Sequence, residues 1–346
     1  MIPKPLPDLA RADLLALLAE AENRSGIRAH MIEKDAWVCW TLRQLFALPD
    51  AHGHFIFKGG TSLSKIWKVI QRFSEDIDVS LRREWLGFVG ERDPESAPSR
   101  KQRTKLLDEL SATCAAKLCD EVLPALRQRF TETLGASGWT LTVADEDPQT
   151  LLFAYPSAYS LESGAPYVRP LVRIECGARS DRWPVAEHPI ASYLTETFPD
   201  LFPSAPFTVP VLEAERTFWE KATILHAEAH RPADKATPDR FSRHYADLAA
   251  LAAHPVGEAA LSRDDLRARV VVHKQVFFPA AWAAYESAVP GTFKLIPPAP
   301  RLDALAADYR AMQDMFFRPP PSWEQIVANL RQLETRINAP AGSRTA

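Results

Sequence analysis

Apolar residues recur at helical spacing from about Asp8 to Ala21 and again from Met31 to Leu45, which predicts two helices ahead of any sheet, with Asp8 as the N-cap of the first. HFIFKGG then reads as a short strand meeting a glycine turn, TSLSKIWKVI as a helix, and EDIDVSL as a strand in which polar and apolar residues alternate. Arg100 to Leu134 is again helical and charged. WTLTVADE, TLLFAY and YVRPLVRIECG read as three further strands. The expected first region is therefore a mixed sheet of about five strands with helices packed on it.

The pattern changes at FPDLFPSAPFTVP, where prolines stand at positions 199, 203, 206 and 210. Proline removes a backbone donor and resists helix interiors, so this stretch reads as an extended connection. Beyond it the spacing is helical throughout: Leu212 to Ala229, Arg240 to Ala253, Arg263 to Val276, Ala280 to Ser287, Arg301 to Met315 and Trp323 to Ile337. The final APAGSRTA reads as a frayed tail. The fold class that follows is α+β: a small mixed-sheet domain with two leading helices over residues 1–205, and a C-terminal helical bundle over 206–346. A length of 346 residues fits two domains.

Composition excludes more than it selects. No run is long enough to cross a bilayer, and MIPKPLPDLARADLL lacks the uninterrupted apolar core of a secretory signal, so a cytoplasmic protein with no membrane partner is expected. Cys39, Cys114, Cys119 and Cys176 have neither C-x-x-C spacing nor matching histidines, which argues against a zinc ribbon and a disulfide framework. A net charge of -3 gives no global attraction to nucleic acid. A polynucleotide would need a local patch, for which SRKQRTK, Ser99 to Lys105, is the candidate; the competing reading is a solvated helix start.

Chemistry begins at KGGTSL. Adjacent glycines at a strand end let backbone approach a ligand closely, and Thr61 and Ser62 bring hydroxyls to the opening of a helix. Open amides at a helix start suit a phosphate chain, and Lys58 adds a positive charge or is an exposed strand residue. In RFSEDIDVSL, alternation puts Asp76 and Asp78 on one face, against Ile77, Val79 and Leu81 on the other. Two carboxylates that close repel unless a cation lies between them, an arrangement suited to Mg²⁺ with positions left for triphosphate; a polar pair on an edge strand is the plainer alternative. In VRIECG, Arg173 and Glu175 share the face opposite Val172, Ile174 and Cys176. Glu175 is a candidate third ligand or base, or one half of a solvated Arg–Glu pair.

Two charges in the helical region are oddly placed. Lys221 follows Phe218 by three residues and precedes Leu225 by four, and Asp247 neighbours Ala250 and Leu251 on its own helix. Charges directed at a core are costly unless paired or facing a ligand. The pair is either a structural Lys–Asp bridge or two groups lining a cleft; a snorkelling lysine is the third option.

The strand, glycine turn, helix and D-x-D strand resemble the nucleotidyltransferase superfold of polymerase-β-like enzymes, and more closely the AbiEii/AbiGii toxins, of which MenT-type tRNA-modifying toxins look like a branch. Four places carry the likeness, in order: IEKDAWVCWTL, KGGTSL, RFSEDIDVSL, and TFWEKATILH with RHYADL. The resemblance implies a metal-dependent transfer of a nucleoside monophosphate from an NTP to an acceptor, with tRNA as the expected acceptor and a cognate antitoxin as a possible partner. It implies nucleotide-binding roles for Lys58, Gly59, Gly60, Thr61, Ser62 and Lys221, metal ligation by Asp76 and Asp78, and catalytic roles for Lys221 and Asp247, with Glu175 as a further carboxylate. Ser62 stands where the family often has alanine. Transfer to a small molecule or protein, or a degenerate nucleotide-binding module, are the alternatives.

Overall fold

The computed structural model describes residues 6–159, 169–202 and 207–340. The chain divides into two compact units. The first comprises residues 1–66 and 73–211, and the second residues 67–72 and 212–346. The chain therefore leaves the first unit for six residues, Trp67–Arg72, before returning to it. That excursion falls between the glycine turn and the D-x-D strand.

The first unit opens with α1 (Arg11–Ser25) and α2 (Ala29–Phe46), then α3 (Ala51–His54), β1 (Phe55–Lys58), α4 (Gly59–Lys65) and β2 (Ile77–Leu81). Next come α5 (Arg100–Lys117) and α6 (Leu123–Leu134), joined by a π-turn over Leu118–Val122 ahead of Pro124, then β3 (Thr140–Ala144), β4 (Asp147–Ala154), β5 (Leu171–Gly177), β6 (Val185–Ile190), α7 (Tyr193–Thr197) and β7 (Phe207–Leu212). Among the described residues the sheet is seven-stranded and mixed, in the order β3-β4-β5-β2-β1-β7-β6. β1 and β5 flank β2, antiparallel and parallel to it respectively.

Apolar residues of β2, β4 and β5, such as Val79, Phe153 and Ile174, are fully buried. α2 packs on the sheet through Trp37 and Trp40, which meet Phe130, Phe153 and Tyr155 at ring centroid distances of 4.7 to 6.0 Å. Aromatic burial of this kind supplies most of what fixes a helix on a sheet. α1, α2 and α7 close a smaller apolar cluster around Leu18, Ile32 and Leu194.

The second unit is helical: α8 (Ala214–Ala229), α9 (Ser242–Ala253), α10 (Pro255–Leu261), α11 (Asp264–Phe277), α12 (Ala299–Ala311) and α13 (Trp323–Asn338). α8 and α9 pack together and α13 packs on α9. Ser322 and Gln325 form a reciprocal capping box at the start of α13.

Several expectations are corrected. Asp8 lies in a 3₁₀ turn, and α1 is preceded by Ala10 in extended conformation, with no side-chain cap. The helix after the glycine turn stops at Lys65 rather than running to Ile70, and Lys68 takes a left-handed φ of 55°. Ala280 to Ser287 is not an α-helix but ends in a short 3₁₀ turn, because Ala284 sits at φ 47° with its carbonyl 3.0 Å from His226 Nε2. The sheet has two more strands than expected. β7 begins in the proline-rich stretch and runs two residues past Pro210; its Val209, Val211 and Leu212 are fully buried, which removes the alternation that would have announced a strand. β6 carries Pro189 and sits at the sheet edge, where a missing N–H is tolerated. Pro203, Pro206, Tyr167, Val168 and most of the C-terminal tail lie outside the described residues.

Candidate active site

In the first unit a row of side chains crosses four strands. Lys58 pairs in register with Asp78, Asp78 with Glu175, and Glu175 with Thr150. Register partners project to the same face of a sheet, so Lys58, Asp78 and Glu175 are brought side by side from β1, β2 and β5. Lys58 Nζ lies 4.0 Å from Asp78 Oδ1. Asp76 precedes β2 by one residue. It contributes to holding the Arg173 guanidinium above its usual range, together with Glu146 and Glu175, although partial burial opposes that charge. Arg173 donates to Glu146 at 2.9 Å and lies 3.6 Å from Glu175.

Glu175 is half-exposed, and burial, then the neighbouring Asp78 carboxylate, push its carboxyl above the usual range. A carboxyl so placed holds its proton more readily than an isolated one, as a group that exchanges a proton with a substrate must. The donor set is wholly carboxylate oxygen, the chemistry of Mg²⁺ rather than of a softer metal. Among the described residues no three His, Cys, Asp or Glu converge into a ligand cluster. Asp78, with Glu175 beside it and Asp76 one residue ahead of the strand, offers the carboxylate oxygens that would suit a hard cation taking its other ligands from water or phosphate.

Gly59 shows why the first of the two glycines is needed. Its φ is 80°, and a methyl group on its Cα would lie 1.9 Å from Asp78 Oδ2. Conformation and space both demand glycine, so the Asp78 carboxylate rests directly on the turn. The first amides of α4 lack intrahelical partners, and Lys58 at the N-cap position provides no side-chain bond to them. The hydroxyls face inward instead. Thr61 donates to the carbonyl of Asp76 at 2.5 Å and lies 3.0 Å from Ser74 Oγ, while Ser62 donates to the carbonyl of Gly59 at 2.8 Å. Thr61 thus ties the glycine turn to the start of the D-x-D strand, which leaves the backbone amides, rather than the hydroxyls, as the turn's candidate donors.

Behind this turn, α2 carries three consecutive buried charges. Glu33 accepts from Ser157 Oγ and the Ala158 amide, Lys34 bridges to Glu75, and Asp35 meets Lys65 Nζ at 2.9 Å while accepting from the Tyr193 amide. Lys65 also lies 3.5 Å from the centroid of the Tyr193 ring. The Asp35–Lys65 bridge fixes the far end of α4 and the Lys34–Glu75 bridge fixes the residue before Asp76. Charged residues at three successive helix positions already announce a special environment in sequence, but their partners do not.

The second unit holds Lys221 on α8 and Asp247 on α9. They form a buried ion pair, Nζ to Oδ2 at 2.8 Å. Arg72, which the sequence pattern did not single out, grips the same carboxylate with two prongs: Nε to Oδ1 and Nη2 to Oδ2, both 2.8 Å. Burial works against the Asp247 charge, but Arg72 and then Lys221 outweigh it and hold the carboxyl far below the usual range. Burial lowers the Lys221 ammonium, and Arg72 and Arg243 add to that against the opposing pull of Asp247. His244 Nδ1 lies 3.4 Å from Lys221 Nζ, and burial followed by the Lys221 and Arg243 charges keeps its imidazole well below the ordinary histidine range. A neutral His244 presents an acceptor to the ammonium.

The basic stretch begins at the start of α5, capped by Ser99 on the Gln102 amide. Arg100, Lys101 and Lys105 are exposed, and Arg83 is drawn into bridges with Asp93 and Glu95. The four cysteines are free thiols, and no described helix is long and apolar enough to cross a membrane.

Comparison with solved structures aligns 98% of this chain with all of the nucleotidyltransferase toxin MenT4 from Mycobacterium tuberculosis H37Rv, at 15% identity and a TM-score of 0.41. Comparison with curated proteins gave no match. Residues 40–329 match the family described as "Nucleotidyl transferase AbiEii toxin, Type IV TA system". That span covers the glycine turn, the D-x-D strand, Lys221 and Asp247, and the chain belongs to the AbiEii nucleotidyl transferase toxin family of type IV toxin–antitoxin systems.

Proposed function

We propose that this chain transfers a nucleoside monophosphate from an NTP to an RNA acceptor, with the end of a tRNA as the target and a cognate antitoxin as its restraining partner. The observation that carries the reading is the row of Lys58, Asp78 and Glu175 laid against Gly59. The Gly59 to Ser62 amides receive the phosphate chain beside the positive charge of Lys58, and Lys221 is assigned a phosphate-binding role of its own in the helical unit. Asp76 and Asp78 would hold Mg²⁺, which when bound neutralises charge on the triphosphate. A ribose hydroxyl of the acceptor forms a bond to the α-phosphorus, the α–β anhydride bond breaks, and pyrophosphate departs. Glu175, whose carboxyl is raised by burial and by Asp78, takes the hydroxyl proton.

The test is incubation of the protein with each labelled NTP, magnesium and total cellular RNA. Label on the ends of small RNAs from one preferred NTP, with matching pyrophosphate, is the expected result. Label only on protein or on small molecules overturns the RNA acceptor and leaves the transferase. Thermal stabilisation by nucleotide with neither label nor pyrophosphate would identify a binding module instead.

A further inference from the structure

Arg72 stands in RFSEDID four residues ahead of Asp76, yet its partners belong to the helical unit. It is 5% exposed, and its backbone bridges to Phe316, next to a bond from the Phe317 amide to the Gln71 carbonyl at 3.1 Å. With its main chain fixed in this way, its guanidinium reaches both oxygens of Asp247 as a fork, and Lys221 Nζ approaches Oδ2 from another direction. The ammonium has three N–H donors. Asp247 accepts one and His244 Nδ1 faces a second; among the described residues the third has no partner.

We infer that Arg72 is a positioning residue for Lys221. It locks the plane of the Asp247 carboxylate, and so the direction of the remaining ammonium N–H, which serves a phosphate of the nucleotide. Two physical arguments support the assignment. A carboxylate held by a single lysine can rotate about its Cβ–Cγ bond, whereas a parallel two-bond fork from arginine sets its orientation. Charge matters as well. A lone Lys221–Asp247 pair would be self-neutralised and a poor partner for an anion, but here one carboxylate is shared by two cations, with Arg243 contributing a third positive charge nearby. Among the described residues, the charges acting most strongly on Lys221 are Asp247, Arg72 and Arg243, of which Asp247 alone is negative, and His244 faces the ammonium through Nδ1. The cluster therefore carries a net positive charge and one directed donor. The inference rests on the proposed role of Lys221 toward the phosphates.

The experiment compares Arg72→Lys, Arg72→Met and Lys221→Ala in the full chain. It measures KM and kcat for the preferred NTP, thermal stabilisation by that NTP with magnesium, and the pH profile of kcat/KM. Arg72→Lys keeps the charge and loses the fork; the expected result is a cooperative melt with KM raised about tenfold or more and nucleotide stabilisation reduced to match. Arg72→Met removes a cation that lowers the Lys221 pKa, so the alkaline limb of kcat/KM should move to higher pH. Wild-type KM and nucleotide stabilisation in Arg72→Lys overturn the inference. Loss of cooperative folding in Arg72→Lys also overturns it, since the arginine would then be cement for the helical unit. If Lys221→Ala itself binds and transfers normally, the role of Lys221 fails. If Lys221→Ala is impaired while Arg72→Lys is normal, only the role of Arg72 fails.

Discussion

The carboxylate row on the sheet and the Lys221–Asp247–Arg72 cluster in the helical unit are opposite solutions to the placing of charge. On the sheet, Asp78 and Glu175 are partly exposed and share one face, and the Asp78 charge strengthens the hold of Glu175 on its proton; Lys58 stands 4.0 Å from Asp78. In the helical unit Asp247 is 1% exposed, and Arg72 and Lys221 both donate to its oxygens at 2.8 Å. One arrangement is negative and open, and an added cation would relieve its repulsion. The other is compact and carries excess positive charge, and removal of its one anion leaves buried cations facing each other. The first should be dispensable for stability and the second should not.

The largest contrast is expected at the two aspartates. Asp78→Asn should reduce transfer by a factor of about 10³ or more, as losing a charge-stabilising group at a reacting centre does, while the melting temperature stays unchanged or rises because one of two repelling carboxylates is gone. Retained activity with a large loss of stability would make the row structural and erase the contrast.

Asp247→Asn should show the reverse emphasis. It leaves Arg72 and Lys221 buried without a counter-charge and should cost about 3–5 kcal/mol in denaturant unfolding. An Asp247→Asn protein as stable as the wild type would mean that water reaches the cluster freely. Activity loss in this variant is uninformative unless measured on the folded fraction, which the same titration supplies.

How much of this could be read in the sequence depends on the range of the interaction. The glycine turn, the D-x-D strand and the inward aim of Lys221 and Asp247 are local, set by spacing along one element, and were legible. The Lys58–Asp78–Glu175 row depends on which strands are neighbours and in what register, and β5 is far from β1 and β2 in sequence. Arg72 opens the RFSEDIDVSL motif but has no legible role there, because its burial comes from the excursion of Trp67–Arg72 into the helical unit rather than from its local pattern. The inward-facing Thr61 and Ser62 hydroxyls mark the same limit, since a helix-start hydroxyl looks identical in sequence whether it faces a ligand or a backbone carbonyl.

Acid should separate the two regions with smaller effects. Glu175 is raised in the fold above the ordinary glutamate value of 4.5, so its contribution to stability is fully present below pH 4.5 and is lost as pH rises through the folded value. Asp247 is lowered from the ordinary 3.8, so its contribution is present above pH 3.8 and is lost as pH falls toward the folded value. Melting curves between about pH 3 and 7 should lose part of their slope just above pH 4.5 in Glu175→Gln, while the fall below pH 3.8 persists. An unchanged slope above pH 4.5 in Glu175→Gln would mean that neither burial nor Asp78 raises the Glu175 carboxyl.

The smallest expected effect concerns how a polynucleotide would be recruited by a chain of net charge -3. Arg100, Lys101 and Lys105 are exposed at the start of α5, where Lys105 approaches Glu109 at 3.6 Å; Arg103 is partly buried. Exposed cations of this kind bind phosphates by releasing counterions, so their share of affinity falls steeply with salt and carries no sequence preference. Neutralising Arg100, Lys101, Arg103 and Lys105 together should reduce RNA labelling several-fold at low salt, with less change at high salt. The slope of log affinity against log salt should flatten by about one unit for each phosphate that is no longer neutralised. Pyrophosphate release with a small acceptor should be unaffected, because neither the carboxylate row nor the Lys221 cluster contains these residues. An unchanged salt slope would move the RNA-binding surface elsewhere on the molecule and leave the comparison of the two charged regions as it stands.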